Sequence, residues 1–211
     1  MIELWHCPDA RSFRALWALE ELGLPYELHL LPFPPRVKAP AYLEVNPLGT
    51  IPALIDGETF MTESAAIVQY LATRHGDGVL AVAADDADYG AWLNWLHFGE
   101  ATLTFPQTLV LRYGTFEKGR ADAAAADYAR WFLARLKHVE RALAKDQWLC
   151  AGRFTGADIS VGYALLLAGH LKLLEQAAEP VRAYWERLRA RPAFQAAKRA
   201  QKLDLAEALR E

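Results

Sequence analysis

The character of the predicted secondary structure changes once, near Gly76, along this chain of 211 residues. Alternation of apolar and polar residues, which is typical of half-buried strands, occurs only before that point. After it, every predicted element is a helix rich in alanine and leucine. We therefore expect an α/β domain over residues 1–76, a linker over residues 77–86 and an all-helical domain over residues 87–211.

Strands and helices alternate in the first domain. Strands are predicted over Ile2–His6 and Tyr26–Leu31, on either side of a helix that ends at Gly23. Such a β-α-β unit joins two parallel strands through a right-handed crossover. Two short strands then form a hairpin at Asp56-Gly57, and a helix begins at Ser64. The order predicts a four-stranded mixed sheet with helices on its faces.

The second domain is predicted to hold four helices and a C-terminal helix or tail. They cover residues 87–112, 121–144, 157–174, 181–189 and 193–209. Pro106 is expected to kink or end the first of them, because proline lacks an amide donor. Thr155 and Asp158 have the spacing of a capping box at the start of the third helix.

Composition excludes several classes of protein. The net charge is −3 and basic residues are spread along the chain, so a nucleic-acid-binding surface is not expected. No apolar run reaches the roughly 18–20 residues that a membrane span needs, and residues 1–5 lack the basic stretch of a signal peptide. The two cysteines, Cys7 and Cys150, cannot form a disulfide framework, which favours a reducing, cytoplasmic compartment.

The most informative motif combines Ile51-Pro52 at the start of a strand with Glu63-Ser64 at the start of a helix. A cis Ile51–Pro52 bond would turn the amide and carbonyl of Ile51 outward, toward an extended peptide ligand. Ser64 suits the N-cap of its helix, whose free amides attract a carboxylate, and Glu63 attracts an ammonium. The residues alone also admit a plainer interpretation, a hairpin followed by a capped helix with an exposed acid.

Nearly the whole chain resembles the glutathione transferases. The resemblance rests on Asn46-Pro47 to Ile51-Pro52, on Glu63-Ser64-Ala65-Ala66-Ile67 with Tyr70-Leu71, on Leu19 to Glu27 and on Thr155 to Ser160. It is strongest for the fungal and bacterial branch with an Arg-Ser-Phe-Arg-type segment after the first strand, here Arg11 to Arg14. The resemblance implies an α/β thioredoxin-like N-terminal domain that binds glutathione, followed by an all-α C-terminal domain.

The resemblance also assigns roles to the motif residues. It makes Pro52 a cis-proline and Ile51 the backbone partner of the cysteinyl part of glutathione. It makes Glu63 and Ser64 the site of the γ-glutamyl group. Thr50 is expected to contact the tripeptide too, although the family often has lysine or a similar polar residue at this position.

The residue that activates the glutathione thiol is less directly assigned. A free thiol has a pKa of about 8.5, so a donor near a helix N-terminus is needed to stabilise the thiolate. Ser12 is the only hydroxyl between the first strand and the first helix. We expect Ser12 or its backbone amide to be the donor, with Arg11 as an electrostatic helper. Because Asp9 and Arg11 stand where family classes carry a serine or cysteine, an alternative stays open: Asp9 caps the helix and Ser12 is an ordinary first-turn residue.

Cys7 defines a rival function. Cys7-Pro8 resembles the redox segment of omega-type relatives and glutaredoxins, which would make the protein a glutathione-dependent thiol oxidoreductase or peroxidase. Those cysteines lie at the helix start, where the dipole lowers the thiol pKa. Cys7 lies about two residues earlier, which favours a buried, inert thiol. A second rival is a family member that binds glutathione without catalysis.

The predicted reaction is conjugation of the glutathione thiolate to a small apolar electrophile, which is a detoxification reaction. The electrophile is expected in a pocket between the domains. Its candidate lining residues lie on and after the first helix of the second domain: Phe98, Phe105, Leu109, Arg112 and Tyr113. No cofactor or metal is expected, because glutathione is a co-substrate and the histidines lack metal-ligand spacing. The resemblance implies a homodimer.

Overall fold

A computed structural model of the chain describes residues 1–202. Its contacts divide the chain into two compact units. One unit consists of residues 1–75 together with the described residues from 190 onward, and the other of residues 76–189. The part of the predicted last helix from residue 203 onward lies outside the described residues.

The first unit is built on a four-stranded mixed sheet, as predicted. Its strands are β1 (Ile2–His6), β2 (Tyr26–Leu30), β3 (Ala53–Asp56) and β4 (Thr59–Met61), in the spatial order β2-β1-β3-β4. β1 is parallel to β2, whereas β3 is antiparallel to both of its neighbours. In the register of β1 and β3, Trp5 lies opposite Ala53.

The described α-helices are α1 (Phe13–Leu22), α2 (Pro35–Lys38), α3 (Tyr42–Val45), α4 (Ser64–Arg74), α5 (Tyr89–His97), α6 (Phe105–Leu111), α7 (Asp122–Leu143), α8 (Gly156–His170), α9 (Glu179–Arg189) and α10 (Pro192–Ala200). The first four and α10 belong to the first unit, and α5 to α9 belong to the second. Pro35 is the first residue of α2, a position in the first helical turn where proline is tolerated.

Helix α1 is the central helix of the first unit. All seven residues from 13 to 19 are buried, and the helix contacts both α4 and α10. Gly23 ends it with a φ of 61°, in the left-handed region that glycine adopts without steric cost. The amides of Gly23 and Leu24 bond the carbonyls of Glu20 and Leu19, which confirms the predicted C-terminus.

The position of α10 differs from the sequence prediction, which assigned residues 87–211 to the second domain. The ring of Phe194 packs edge-on against Phe13 and Trp17, with centroid distances of 5.2 and 5.0 Å. Arg191 forms a two-pronged ion pair with Glu21 at 2.6 and 2.8 Å. Burial of one aromatic ring against α1 therefore attaches the described end of the chain to the first unit.

The predicted linker, residues 77–86, groups with the second unit. Leu80 and Val82 are buried there, and the carbonyl of Leu80 accepts a hydrogen bond of 2.8 Å from the amide of Gly156. Arg153 donates to the carbonyls of Val79 and Ala81. The segment lacks regular structure, but its backbone is fixed by hydrogen bonds within this unit.

The second unit is helical, as predicted, but the single helix expected over residues 87–112 is wrong. The structure has α5, a π-helical segment over Phe98–Thr104, α6 and a second π-helical segment over Arg112–Phe116. Pro106 lies in the first turn of α6, where its missing amide donor is tolerated. The hydroxyl of Thr104 donates to the carbonyl of Gly99 at 2.7 Å, within the first of these wider turns.

Helix α8 forms the core of the second unit and is buried on all sides from Gly156 to Ala168. It begins with the predicted capping box: the Thr155 side chain accepts from the first turn, and Asp158 accepts from the Thr155 amide at 2.8 Å. Tyr184 also donates to Asp158, at 2.7 Å. In the part of the chain that the structure describes, no helix combines the length and apolarity of a membrane span.

Candidate glutathione-binding site

The peptide bond between Ile51 and Pro52 is cis, as the resemblance implies. Pro52 is buried and Ile51 is half-buried, immediately before β3. Within residues 1–202, neither the amide nor the carbonyl of Ile51 forms a hydrogen bond with another protein group. Both groups are therefore left without a hydrogen bond inside this part of the chain.

The turn before Ile51 is fixed by side chains that the sequence analysis did not single out. The buried Asn46 side chain accepts from the amide of Leu48 at 3.1 Å and donates to the carbonyl of Thr50 at 2.7 Å. Tyr42 donates to the same carbonyl at 2.6 Å. Gly49 has a φ of 60°, and a Cβ at this position would lie 2.7 Å from the Cβ of Arg36 in α2. Thr50, the expected tripeptide contact, is exposed at the end of this turn.

The N-terminus of α4 differs in one detail from the prediction. Glu63, not Ser64, occupies the N-cap position, and its exposed side chain makes no capping bond. Ser64 is the first helical residue and is 3% exposed. The first backbone amide bonded into the helix is that of Ile67, which donates to the Glu63 carbonyl at 2.8 Å. The preceding amides of the first turn remain as donors for a carboxylate.

Arg14 explains why the Ser64 side chain is turned inward. Its guanidinium donates to the Ser64 hydroxyl at 3.1 Å, and Arg14 is completely buried. A charged donor of this kind contributes more than a neutral one. The sequence carried a signal for this residue, because Arg14 stands among Phe13, Ala15 and Leu16 on the apolar side of α1.

Ser12, the expected thiol activator, is fully buried at the N-cap position of α1. Its hydroxyl accepts from the amide of Cys7 at 3.3 Å and lies 3.5 Å from the Cys7 carbonyl. The side chain thus holds the loop between β1 and α1, and in this conformation no surface of Ser12 is exposed. Arg11, the expected helper, is half-buried in the same loop.

Cys7 has the environment of an inert thiol. It is completely buried, and its Sγ lies 3.7 Å from the carbonyl of Pro32. Burial raises the pKa of the Cys7 thiol to about 12. Cys150 is also buried, and burial raises the pKa of its thiol to about 11. A thiolate at Cys7 is therefore scarce at neutral pH.

The first of the five candidate residues for the electrophile pocket, Phe98, begins the π-helical segment after α5. Phe98 packs on Trp95 and His138, with centroid distances of 5.1 and 5.3 Å. It is the only one of the five that lines the surface groove described for this unit, formed by residues of α5 and the π-helical segment after it: Leu93, Asn94, His97, Phe98, Ala101 and Thr102.

The other four candidates follow along α6 and the π-helical segment after it. Phe105 is 54% exposed, Leu109 and Tyr113 are half-buried, and Arg112 is exposed. The Arg112 guanidinium lies 5.3 Å from the centre of the Tyr113 ring and pairs with Glu117 at 2.8 Å. Phe105, Leu109 and Tyr113 are thus apolar or aromatic side chains that are at least partly accessible.

One group of possible metal ligands exists among the described residues. Glu3, Glu27 and His29 lie on neighbouring strands, with ligand atoms within 4.8 Å of one another. His29 Nε2 is 3.1 Å from a Glu3 oxygen and 3.7 Å from a Glu27 oxygen, and the Trp5 ring stacks on His29 at 4.3 Å. Hydrogen bonding and ion pairing account for these contacts, so we assign no metal to them.

Comparisons with known proteins agree with the class that this fold and site define, a thioredoxin-like unit joined to a helical unit. Residues 10–74 match the family model of the glutathione S-transferase N-terminal domain. Glutathione S-transferase 3 of Zea mays is 34% identical over 194 residues, which cover 86% of both chains. The chain belongs to the glutathione S-transferase family.

Two further similarities agree with this membership. Glutathione S-transferase 3 of Schizosaccharomyces pombe is 37% identical over 103 residues, and this match spans 49% of the present chain and 43% of that relative. The structure of a sphingomonad glutathione S-transferase complexed with glutathione aligns with a TM-score of 0.84 at 27% identity, covering 95% of this chain and 99% of the other.

Proposed function

We propose that the protein conjugates the thiolate of glutathione to a small apolar electrophile. The observation that carries this proposal is the meeting of three elements near the start of α1. Trp5 lies opposite Ala53 in the antiparallel pair of β1 and β3. Ile51, two residues before Ala53, therefore lies toward the end of β1 that leads to Cys7 and the loop that follows it. The bond from Arg14 to Ser64 brings the N-terminus of α4 to the first turn of α1.

Each part of glutathione has a chemically matched partner in this arrangement. The α-carboxylate of the γ-glutamyl group accepts from the first-turn amides of α4, beginning with that of Ser64, and its ammonium pairs with Glu63. The cysteinyl backbone pairs with the amide and carbonyl of Ile51, beside Pro52. Thr50 contacts the remaining glycyl part.

The thiol of a tripeptide held this way is directed to the loop between β1 and α1. We propose that Arg11 and the N-terminus of α1 stabilise its thiolate, whereas Ser12 acts through its bonds to Cys7. The thiolate attacks the electrophile, a carbon–sulfur bond forms, and the leaving group departs with its bonding electrons. The thiol proton passes to solvent, and the bound geometry supplies much of the rate.

The electrophile is proposed to contact accessible side chains of the second unit, chiefly Phe105, Leu109 and Tyr113. Phe98 and Arg112 lie close to these residues along the chain. A homodimer that works in the cytoplasm is part of the same proposal and is supported by the family alone. Sedimentation analysis of the purified protein tests the dimer.

Two measurements test the proposed reaction. Calorimetric titration with glutathione is expected to show saturable binding at one site per chain, and chlorodinitrobenzene is expected to be conjugated with release of chloride. Arg11→Ala should raise the pKa of the bound thiol and lower kcat by about tenfold, the effect of losing one charged neighbour. Arg74→Ala is the matched control, because Arg74 is exposed at the opposite end of α4.

Three results would contradict the proposal in different ways. No uptake of glutathione would remove its basis. Binding without turnover of any aryl chloride, epoxide or unsaturated carbonyl would indicate a non-catalytic member of the family. Loss of activity in Cys7→Ser but not in Arg11→Ala would indicate the thiol oxidoreductase.

A further inference from the structure

The end of α10 holds the loop between β1 and α1 through one residue, Asp9. The Asp9 amide donates to Gln201 Oε1 at 3.0 Å, and Gln201 Nε2 donates back to Asp9 Oδ1 at 2.5 Å. Lys198 Nζ donates to the same carboxylate oxygen at 2.6 Å. Both the backbone and the side chain of Asp9 are therefore fixed by residues almost 200 positions later in the chain.

Asp9 has a backbone conformation that a non-glycine residue seldom adopts. Its φ is 54°, in the left-handed region. Such a conformation persists where surrounding contacts determine it, and it is common at functional sites. The bonds from Gln201 and Lys198 are contacts of this kind.

His6 fixes the orientation of the Gln201 amide. Because Gln201 Oε1 already accepts from the Asp9 amide, His6 Nε2, at 2.9 Å, must act as the donor to the same oxygen. His6 is completely buried, and its Nδ1 has no hydrogen-bond partner. A neutral imidazole protonated on Nε2 satisfies this arrangement.

Helix α10 is itself anchored to α1, so it provides a rigid support. Arg191 pairs with Glu21, and Phe194 packs edge-on against Phe13 and Trp17. The side chain of Glu21 is only 8% exposed in this pair. The end of α10 thus has a defined position relative to the start of α1.

We propose that Gln201 and Lys198 are positioning residues for activation of the glutathione thiol. They hold Asp9 in its left-handed conformation, and this sets the direction of the loop from Cys7 to Ser12. The donors that face the thiol lie on that loop, so their alignment depends on the last described turn of the chain. This inference rests on the proposed function and adds to it a role for α10.

The pKa of the bound thiol separates this role from a merely structural one. In the complex with glutathione, ultraviolet absorbance of the thiolate measures ionisation as a function of pH. Lys198→Met and Gln201→Met are expected to lower the ionised fraction near neutral pH by about tenfold, together with kcat. The calorimetric Kd for glutathione should change less than about threefold, because Ile51 and the N-terminus of α4 are untouched.

Lys198→Arg should restore the thiol pKa and kcat, since arginine keeps a charged donor to Asp9. Lys202→Met is the matched control, because Lys202 is exposed four positions further along. The side chain of Lys198 is partly exposed, so its loss costs less folding free energy than the loss of buried Gln201. If Gln201→Met fails to fold, the thiol pKa of Lys198→Met tests the inference alone.

An unchanged thiol pKa in a folded Lys198→Met variant would overturn the inference while leaving the proposed function intact. Equal losses in Lys198→Met and Lys202→Met would overturn it as well. Absence of glutathione binding by the unaltered protein would overturn the proposed function and this inference together.

Discussion

Arg14 and Ser64 lie 50 positions apart in the chain, yet the guanidinium of one donates to the hydroxyl of the other at 3.1 Å, out of contact with solvent. This bond joins the first turns of α1 and α4. The helix end that offers amides to a carboxylate is thereby fixed to the helix that follows the loop from Cys7 to Ser12.

Removing the Ser64 hydroxyl should weaken both the fold and ligand binding. Ser64→Ala is expected to lower the free energy of unfolding by about 1–3 kcal/mol, because a hydrogen bond to a buried charged group is lost. The affinity for glutathione should fall with it. Urea denaturation and calorimetry measure the two effects. Thr115→Ala removes a hydroxyl from an exposed residue and should change the free energy of unfolding by less than about 0.5 kcal/mol.

Gly99 is needed for close packing of the first π-helical segment on α8. A Cβ there would lie 2.4 Å from Ser160 Oγ and 2.6 Å from the Ser160 carbonyl carbon. Gly99→Ala should therefore lower the free energy of unfolding by about 1–3 kcal/mol. Gly90→Ala is the control in α5, where nothing lies within 4 Å of a new Cβ. It should raise stability by up to about 1 kcal/mol, so thermal melts of the two variants should move in opposite directions.

Cys7 should react slowly with thiol reagents while the protein is folded. With a thiol pKa of about 12, its thiolate fraction at neutral pH is about a thousandfold below that of an ordinary cysteine. Alkylation of the Cys150→Ser variant isolates Cys7, and labelling in urea gives the reference rate. Cys7→Ala should keep conjugation activity within about threefold. Fast labelling of the folded protein would contradict the assignment of Cys7 as inert.

His6 should make the protein sensitive to mild acid. Burial lowers the pKa of His6 from 6.5 to about 4 in the folded state. Folding therefore favours the neutral imidazole. Its contribution to the free energy of unfolding is complete above pH 6.5 and is lost as the pH falls toward 4. The loss reaches about 3 kcal/mol once pH is below the folded pKa.

Asp158 has the opposite pH dependence, so His6 must be isolated by substitution. Burial raises the pKa of Asp158 to about 6, so folding favours the protonated carboxyl. Its contribution to the free energy of unfolding is present at low pH and is lost as the pH rises through 6. Urea denaturation at several pH values gives the free energy of unfolding of the unaltered protein and of His6→Asn. The difference between the two contains the pH-dependent contribution of His6. Parallel curves for the two proteins would show that His6 does not titrate on unfolding.

The bond from Tyr184 to Asp158 should be among the most costly to remove in the second unit. Both residues are completely buried, and the phenol donates to the carboxylate at 2.7 Å. Tyr184→Phe is expected to lower the free energy of unfolding by about 1.5–3 kcal/mol. Tyr128→Phe should have almost no effect, because the half-buried Tyr128 makes no hydrogen bond among the described residues. Chemical denaturation of the two variants measures the difference.

Local patterns made much of the first unit predictable. Alternation of apolar and polar residues predicted β1, Gly23 predicted the end of α1, and Asp56-Gly57 predicted the hairpin. Each of these features is determined by residues that are close in sequence. The spacing of Thr155 and Asp158 located the start of α8 for the same reason. Family resemblance added the cis bond before Pro52, which no local rule could provide.

Long-range contacts account for what the sequence did not predict. Ser12 is the only hydroxyl of its loop, but its burial depends on packing that periodicity does not encode. Lys198 and Gln201, which hydrogen-bond to Asp9, lie almost 200 positions after it in the chain. The close approach of Gly99 to Ser160 is likewise a contact between distant parts of the chain, which only the tertiary structure shows.

The placement of α10 has a consequence for how the protein is made on the ribosome. Trp17 and Phe13 remain without Phe194 until residue 194 has been synthesised, so the core of the first unit is completed only after the whole of residues 76–189 has been made. Residues 76–189, by contrast, form a unit from one unbroken stretch of chain, which needs no later residue to be complete. A protein truncated before Arg191 would leave the Phe13 and Trp17 rings of α1 without the Phe194 ring that packs on them.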